Sequence, residues 1–126
     1  MRRDLILCQT DQMILEIRTY RLKPSTRDEF VRIMRTEAMP LLAKYGINVI
    51  GSGSSLVDED GTEEAYLIRS FTSLAERRDR EIAFYESEEW RQGPREAIVS
   101  RIESYHTIVI EVSGVFAAKL ATATAR

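Results

Sequence analysis

Apolar and polar residues alternate through ILEIRTYRL (14–22), which predicts a strand. Leu15, Ile17 and Thr19 share one side of it, and Ile14, Glu16, Arg18, Tyr20 and Leu22 share the other. The alternation stops at the turn-forming KPST (23–26). Thr26 and Glu29 have the spacing of a capping box, in which each side chain satisfies a free N–H at a helix start. Phe30, Ile33, Met34, Ala38, Leu41, Leu42 and Tyr45 then recur at helical spacing as one buried stripe. Pro40 lies inside this helix and predicts a kink, because it removes a backbone donor and crowds the preceding turn. Gly46 suits the left-handed residue that closes a helix.

INVIGSGSSLV (47–57) reads as a second strand, bent or bulged at its glycines. DEDG (58–61) is turn chemistry, and EAYLIRSF (64–71) is a third strand, so the pair predicts a hairpin. Ser73 and Glu76 form a second capping box for a helix running to about Tyr85. Ser87 caps a short turn carrying Trp90, and Pro94 opens a further helix with Ala97, Ile98 and Ile102 toward the core. YHTIVIEV (105–112) is the last strand. The order is β-α-β-β-α-β, the α+β ferredoxin-like arrangement: an antiparallel sheet with helices on one face.

Met13 reads as the start of this fold. Residues 1–12 are expected to be a disordered extension, 13–112 the domain, and 113–126 an Ala/Thr-rich tail that frays or partly docks as a helix. The basic start MRRDLILC lacks the apolar length of a secretory signal.

Composition narrows the function classes. The 126 residues fit one domain with a single core, and 30% charged with 44% hydrophobic residues suits a soluble globule. A net charge of −2 gives no general attraction to nucleic acid, and no apolar run reaches the ~20 residues that span a bilayer, so no membrane insertion is expected. The single cysteine, Cys8, cannot form an internal disulfide, which fits a reducing cytoplasm.

Several chemistries drop out at the level of residue types. One His and one Cys cannot supply the usual nitrogen and sulfur ligands of zinc; an all-carboxylate site stays open, although DEDG lacks the ligand spacing of an EF-hand, and the expectation is no metal and no cofactor. GSGSSL places Leu56 where GxGxxG needs its last glycine and leads into a hairpin, and it is not a GxSxG elbow. Cys8 precedes the fold, away from any histidine partner. ERRDRE (76–81) mixes signs and reads as a solvated helix face with i,i+4 pairs.

What remains is a short set of candidates. His106, the only histidine, is a candidate acid/base or ligand contact at the mouth of a pocket between sheet and helices, against the alternative of a locally hydrogen-bonded structural histidine. Antiparallel pairing would bring it near Thr19 and Arg21. Tyr85 and Trp90, with Phe84 beside them, suit an apolar ligand carrying a polar handle, and Tyr20 suits the strand wall of the same cavity; simple lid packing is the competing reading.

ILEIRTYRLKP, PLLAKYGI, YLIRSFTSLAERRDR, FYESEEWRQGPRE and ESYHTIVIEV, in this order across residues 13–112, resemble the NIPSNAP family. The resemblance implies a dimeric α+β barrel, in which two ferredoxin-like sheets pack face to face, and it implies no established reaction. Eukaryotic relatives are associated with mitochondria; this chain lacks their long targeting region, so the cytoplasm is the expected location. The implied homodimer accounts for the mixed strand face. A partner sheet would cover it, and Glu16 of one chain would meet Arg18 of the other, making both candidate dimer-interface residues. A cross-strand pair within one chain, with Glu111, is the alternative. The expected function is binding of a small, partly apolar molecule between sheet and helices. Alternatives are a cofactor-independent monooxygenase or isomerase, a haem-binding protein with His106 as axial ligand, and a protein-interaction scaffold.

Overall fold

The computed structural model describes residues 12–124; Cys8 and the rest of the extension before Gln12 lie outside them. Four strands, β1 (Gln12–Leu22), β2 (Asn48–Ser54), β3 (Glu64–Phe71) and β4 (Ile102–Ser113), form one sheet in the order β2-β3-β1-β4. Every neighbouring pair is antiparallel. Between β1 and β2 run α1 (Arg27–Ile33), a π-helical turn (Met34–Ala38) and α2 (Met39–Lys44). Between β3 and β4 run α3 (Leu74–Glu86), α4 (Glu88–Gln92) and α5 (Arg95–Val99). The last element among the described residues is α6 (Gly114–Thr124).

Local chemistry explains most of these boundaries. Pro40 sits at the start of α2, and the deformation it imposes is taken up upstream as the π turn instead of a simple bend. Gly46 has φ +79°, as a left-handed closing residue must. The bulge in β2 falls between Val49 and Gly51. The second capping box forms with its return bond shifted by one residue: the Glu76 N–H donates to Ser73 Oγ at 3.0 Å, and the Glu76 carboxylate accepts from the N–H of Thr72, just before the cap, at 2.7 Å. Ser87 likewise caps α4, accepting from Trp90 N–H at 3.2 Å. The first box does not form. Glu29 is drawn to Arg32, and the start of α1 is capped from across the molecule by Glu63, whose carboxylate accepts from the N–H groups of Thr26 and Arg27.

The two faces of β1 are exchanged relative to the expectation. Ile14, Tyr20 and Leu22 belong to the main core with Phe30, Ile33, Met34 and Phe84, and the Tyr20 ring lies 5.0 Å from that of Phe30. The face that reads as mixed is therefore the helix-covered one. Leu15, Ile17 and Thr19 point the other way, level with Ser70, Ile68 and Tyr66 of β3 and with Ile110, Ile108 and His106 of β4. α6 packs against β1, β2 and β4, and both Leu15 and Ala117 are buried although neither joins the main core. The C-terminal helix thus covers one end of this second face. The rest is open, with Ile108 45% and Ile110 38% exposed.

Candidate functional site

The exchange of faces puts Glu16 and Arg18 under the helices. Glu16 and Arg69 stand opposite each other on β1 and β3, and both side chains are completely shielded from solvent. Arg69 Nε donates to Glu16 Oε1 at 2.5 Å. Arg77 of α3 donates to Glu16 Oε2 through Nε and Nη2, at 2.9 and 2.7 Å. Arg69 Nη1 donates to the Tyr85 hydroxyl at 3.0 Å, and its Nη2 to Glu81 Oε2 at 3.1 Å. Every nitrogen of Arg69 is thereby engaged. Such a pair survives burial only when the remaining lone pairs and N–H groups find partners, as they do here. The expected contact between Glu16 of one chain and Arg18 of another is corrected: Glu16 is satisfied within its own chain, with Arg18 Nη2 3.7 Å from Oε2. Glu111 is no partner either, since it stands opposite Ile14.

Arg77, Glu81 and Tyr85 follow one another at i,i+4 spacing on α3, so this helix presents a polar stripe to the sheet. Arg78 and Asp79, on the far side, are exposed as expected. The segment ERRDRE is therefore half solvated and half structural. The protonation states diverge across the network. Burial pushes the Glu16 carboxyl up, but the hydrogen bond from Glu81 and the guanidinium groups of Arg69 and Arg77 outweigh it and hold it down to about 2. Burial and the hydrogen bond to Glu16 push Glu81 up to about 7 against the pull of Arg69 and Arg77. The two carboxyls titrate as a pair in which Glu81 carries the proton.

This network backs onto a cavity of about 410 Å³ between sheet and helices, within the range of small-molecule sites. Arg18, Glu81 and Tyr85 form its polar end. Met34, Leu42, Phe84, Trp90 and Ile98 supply apolar wall, and Tyr20 closes it from β1. Burial pushes the Tyr20 hydroxyl up to about 12, with Tyr85 adding to the effect and Arg18 opposing it. Arg18 lies across the polar end. Its Nε donates to Thr107 Oγ1 at 2.9 Å, its Nη1 lies 3.4 Å from the Tyr85 hydroxyl, and the exposed Tyr105 ring stacks on it at 4.9 Å. Burial works against the Arg18 charge, but Tyr85, Tyr20 and Glu16 outweigh it.

Of the residues singled out in the sequence, Tyr20, Tyr85 and Trp90 come together in the cavity and His106 does not. His106 pairs with Thr19 as antiparallel register requires, which fixes it on the exposed, opposite face of the sheet. Arg69, Arg77 and Glu81 escaped sequence reading. The usable signal was the repeat Arg77–Glu81–Tyr85, which continues the stripe of the buried Phe84, together with Glu16 and Arg18 on a strand face otherwise made of Ile, Tyr and Leu.

A four-stranded antiparallel sheet in this order, with two helical crossovers on one face, defines a ferredoxin-like α+β domain. The chain belongs to the NIPSNAP family: the family model matches residues 15–117. A NIPSNAP family protein of unknown function from Agrobacterium tumefaciens superposes with a TM-score of 0.69 at 21% identity, over 82% of this chain and 90% of that one. A second from the same organism gives 0.66 at 23%, over 78% and 90%. SnoaB, a cofactor-independent oxygenase from Streptomyces nogalater, gives 0.53 at 10%, over 79% and 91%. At these identities the likeness establishes the fold alone. No curated protein matches. Among the described residues, no helix is long and apolar enough to cross a membrane.

Proposed function

We propose that this NIPSNAP-family chain holds a small, partly apolar molecule in the cavity between sheet and helices, and that it works as a homodimer. One observation carries the binding reading: about 410 Å³ of space lies between an apolar wall and three convergent polar groups, Arg18, Glu81 and Tyr85. A cavity kept only for packing would be closed by side chains, since voids cost stability. The homodimer rests on the open sheet face, where Ile17, Ile68, Ile108 and Ile110 share one side and a second copy would shield them. A reducing cytoplasm suits a chain with one cysteine.

Native mass spectrometry of the purified protein tests the binding reading. The wild type is expected to retain a small molecule that Val99→Trp loses, because Val99 lies on the exposed rim and a larger side chain there closes the cavity without disturbing the core. A wild type that carries no molecule and takes up none from a panel of apolar compounds overturns it.

A cofactor-independent monooxygenase or isomerase is the second reading, favoured by one feature: Glu81 faces the cavity with a carboxyl pushed up to about 7, suited to moving a proton at neutral pH. It gains if a bound compound is turned over and Glu81→Gln stops turnover at saturating compound, with occupancy of the variant checked by native mass spectrometry. Haem held by His106 is not supported, since that side chain is on the other face of the sheet. The scaffold reading calls for a filled cleft, and this one is open.

A further inference from the structure

Three guanidinium groups, from Arg18, Arg69 and Arg77, share one network with two carboxyls, those of Glu16 and Glu81. Both Glu16 oxygens are taken by Arg69 and Arg77, and all three nitrogens of Arg69 are engaged. Arg18 is different. Its Nη2 lies 3.7 Å from the nearest carboxylate oxygen, an oxygen that Arg77 already occupies, and Arg18 lines the cavity with 14% of its side chain exposed. Tyr105 covers one face of the guanidinium and Thr107 takes its Nε, so a ligand would meet the end of the group, at the Nη2 N–H groups and the Nη1 N–H that Tyr85 does not take. Arg95 adds a further positive charge at the exposed rim.

From this charge imbalance we infer that the cavity selects organic anions, a carboxylate on an apolar body, with the carboxylate seated on the Arg18 guanidinium beside the Tyr85 hydroxyl and the body against Phe84 and Trp90. The inference rests on the binding reading above and specifies its ligand class. A bidentate guanidinium–carboxylate contact in a half-buried site is stronger and more oriented than either partner's contact with water. The apolar wall adds affinity with the length of the body.

Glu81 then becomes a control on binding. It is faced by Glu16 and Arg18 from β1, by Arg69 from β3, by Arg77 and Tyr85 on its own helix, and by Arg95 from α5 across the cavity. Ionised, it opposes a second carboxylate; protonated, it leaves the cations uncompensated. Since Glu81 keeps its proton up to about pH 7, affinity for an anion rises as pH falls from 8 to 6, with a proton taken up or retained on binding.

Trp90 is the only tryptophan and lines the cavity, so its fluorescence reports occupancy. The test compares octanoate with the neutral octan-1-ol at pH 6 and pH 8. Octanoate is expected to bind at least tenfold tighter than octan-1-ol at pH 6 and to weaken several-fold by pH 8. Arg18→Met is expected to erase the preference, and Glu81→Gln to erase the pH dependence while leaving the preference. Circular dichroism checks that each variant folds; if Arg18→Met does not, Glu81→Gln and the wild-type comparison decide. Equal affinity for the two probes overturns the anion inference and leaves the cavity reading standing. Failure of both probes to bind overturns the anion inference, and the cavity reading falls with it only if the panel of apolar compounds also fails to bind.

Discussion

Glu16 is a carboxylate without solvent, and it stays ionised because two guanidinium groups saturate its oxygens. Removing one member of a buried pair strands the other, at a cost of about 3–5 kcal/mol. Glu16→Gln is therefore expected to lower unfolding stability by about that much in urea titrations, whereas Arg78→Ala, on the exposed side of α3, stays within about 0.5 kcal/mol. The two carboxyls also set opposite pH limits. Glu16 is depressed, so its contribution is present above the ordinary carboxylate range and is lost as pH falls toward about 2. Glu81 is elevated: the folded state holds a proton that the unfolded chain releases, so its contribution is complete at low pH and is lost as pH rises through about 7. Thermal melts of the wild type are expected to be most stable near pH 5 and to weaken toward pH 8. Glu81→Gln should be flat over that upper range, and a wild type equally stable at pH 5 and pH 8 would contradict the assignment. None of this was visible from Glu16 and Arg18 alone. The partners that make their burial tolerable, Arg69, Arg77 and Glu81, lie more than fifty residues away, and a charged pair in a strand reads the same whether its cover is a helix or a second chain.

Elements were more legible than residues, because period and capping are local. The four strands, the hairpin and the second capping box follow from alternation and spacing within a few residues. Thr26 failed as a cap for a non-local reason: Glu63 reaches the start of α1 from the loop before β3, and no spacing rule sees it. Glu63→Ala is expected to cost about 1 kcal/mol by chemical denaturation, the ordinary value of a helix cap. Thr26→Ala removes only a hydroxyl bond to Lys23 O and is expected to cost less. An equal or larger loss for Thr26→Ala would return the cap to the local residue. Alternation along β1 was also read correctly as a strand and still gave the wrong face inward. Period 2 fixes which residues share a side; which side meets the helices is decided by their partners.

At the scale of the molecule, the two faces of the sheet divide two roles. One carries the helices, the ion-pair network and the cavity; the other carries Ile17, Ile68, Ile108 and Ile110 beside the docked α6. If the second face joins two copies, Ile108→Asp is expected to convert the dimer to a monomer in sedimentation velocity without changing octanoate binding in the cavity. A monomeric wild type would leave that face without this role. The central claim, that the covered face binds and the open face does not, is tested most directly by intermolecular NOEs from octanoate to labelled methyl groups. Contacts to Met34 and Ala38, which line the cavity, with none to Ile108 or Ile110, are the predicted result. Contacts to Ile108 and Ile110 with none to Met34 would contradict it.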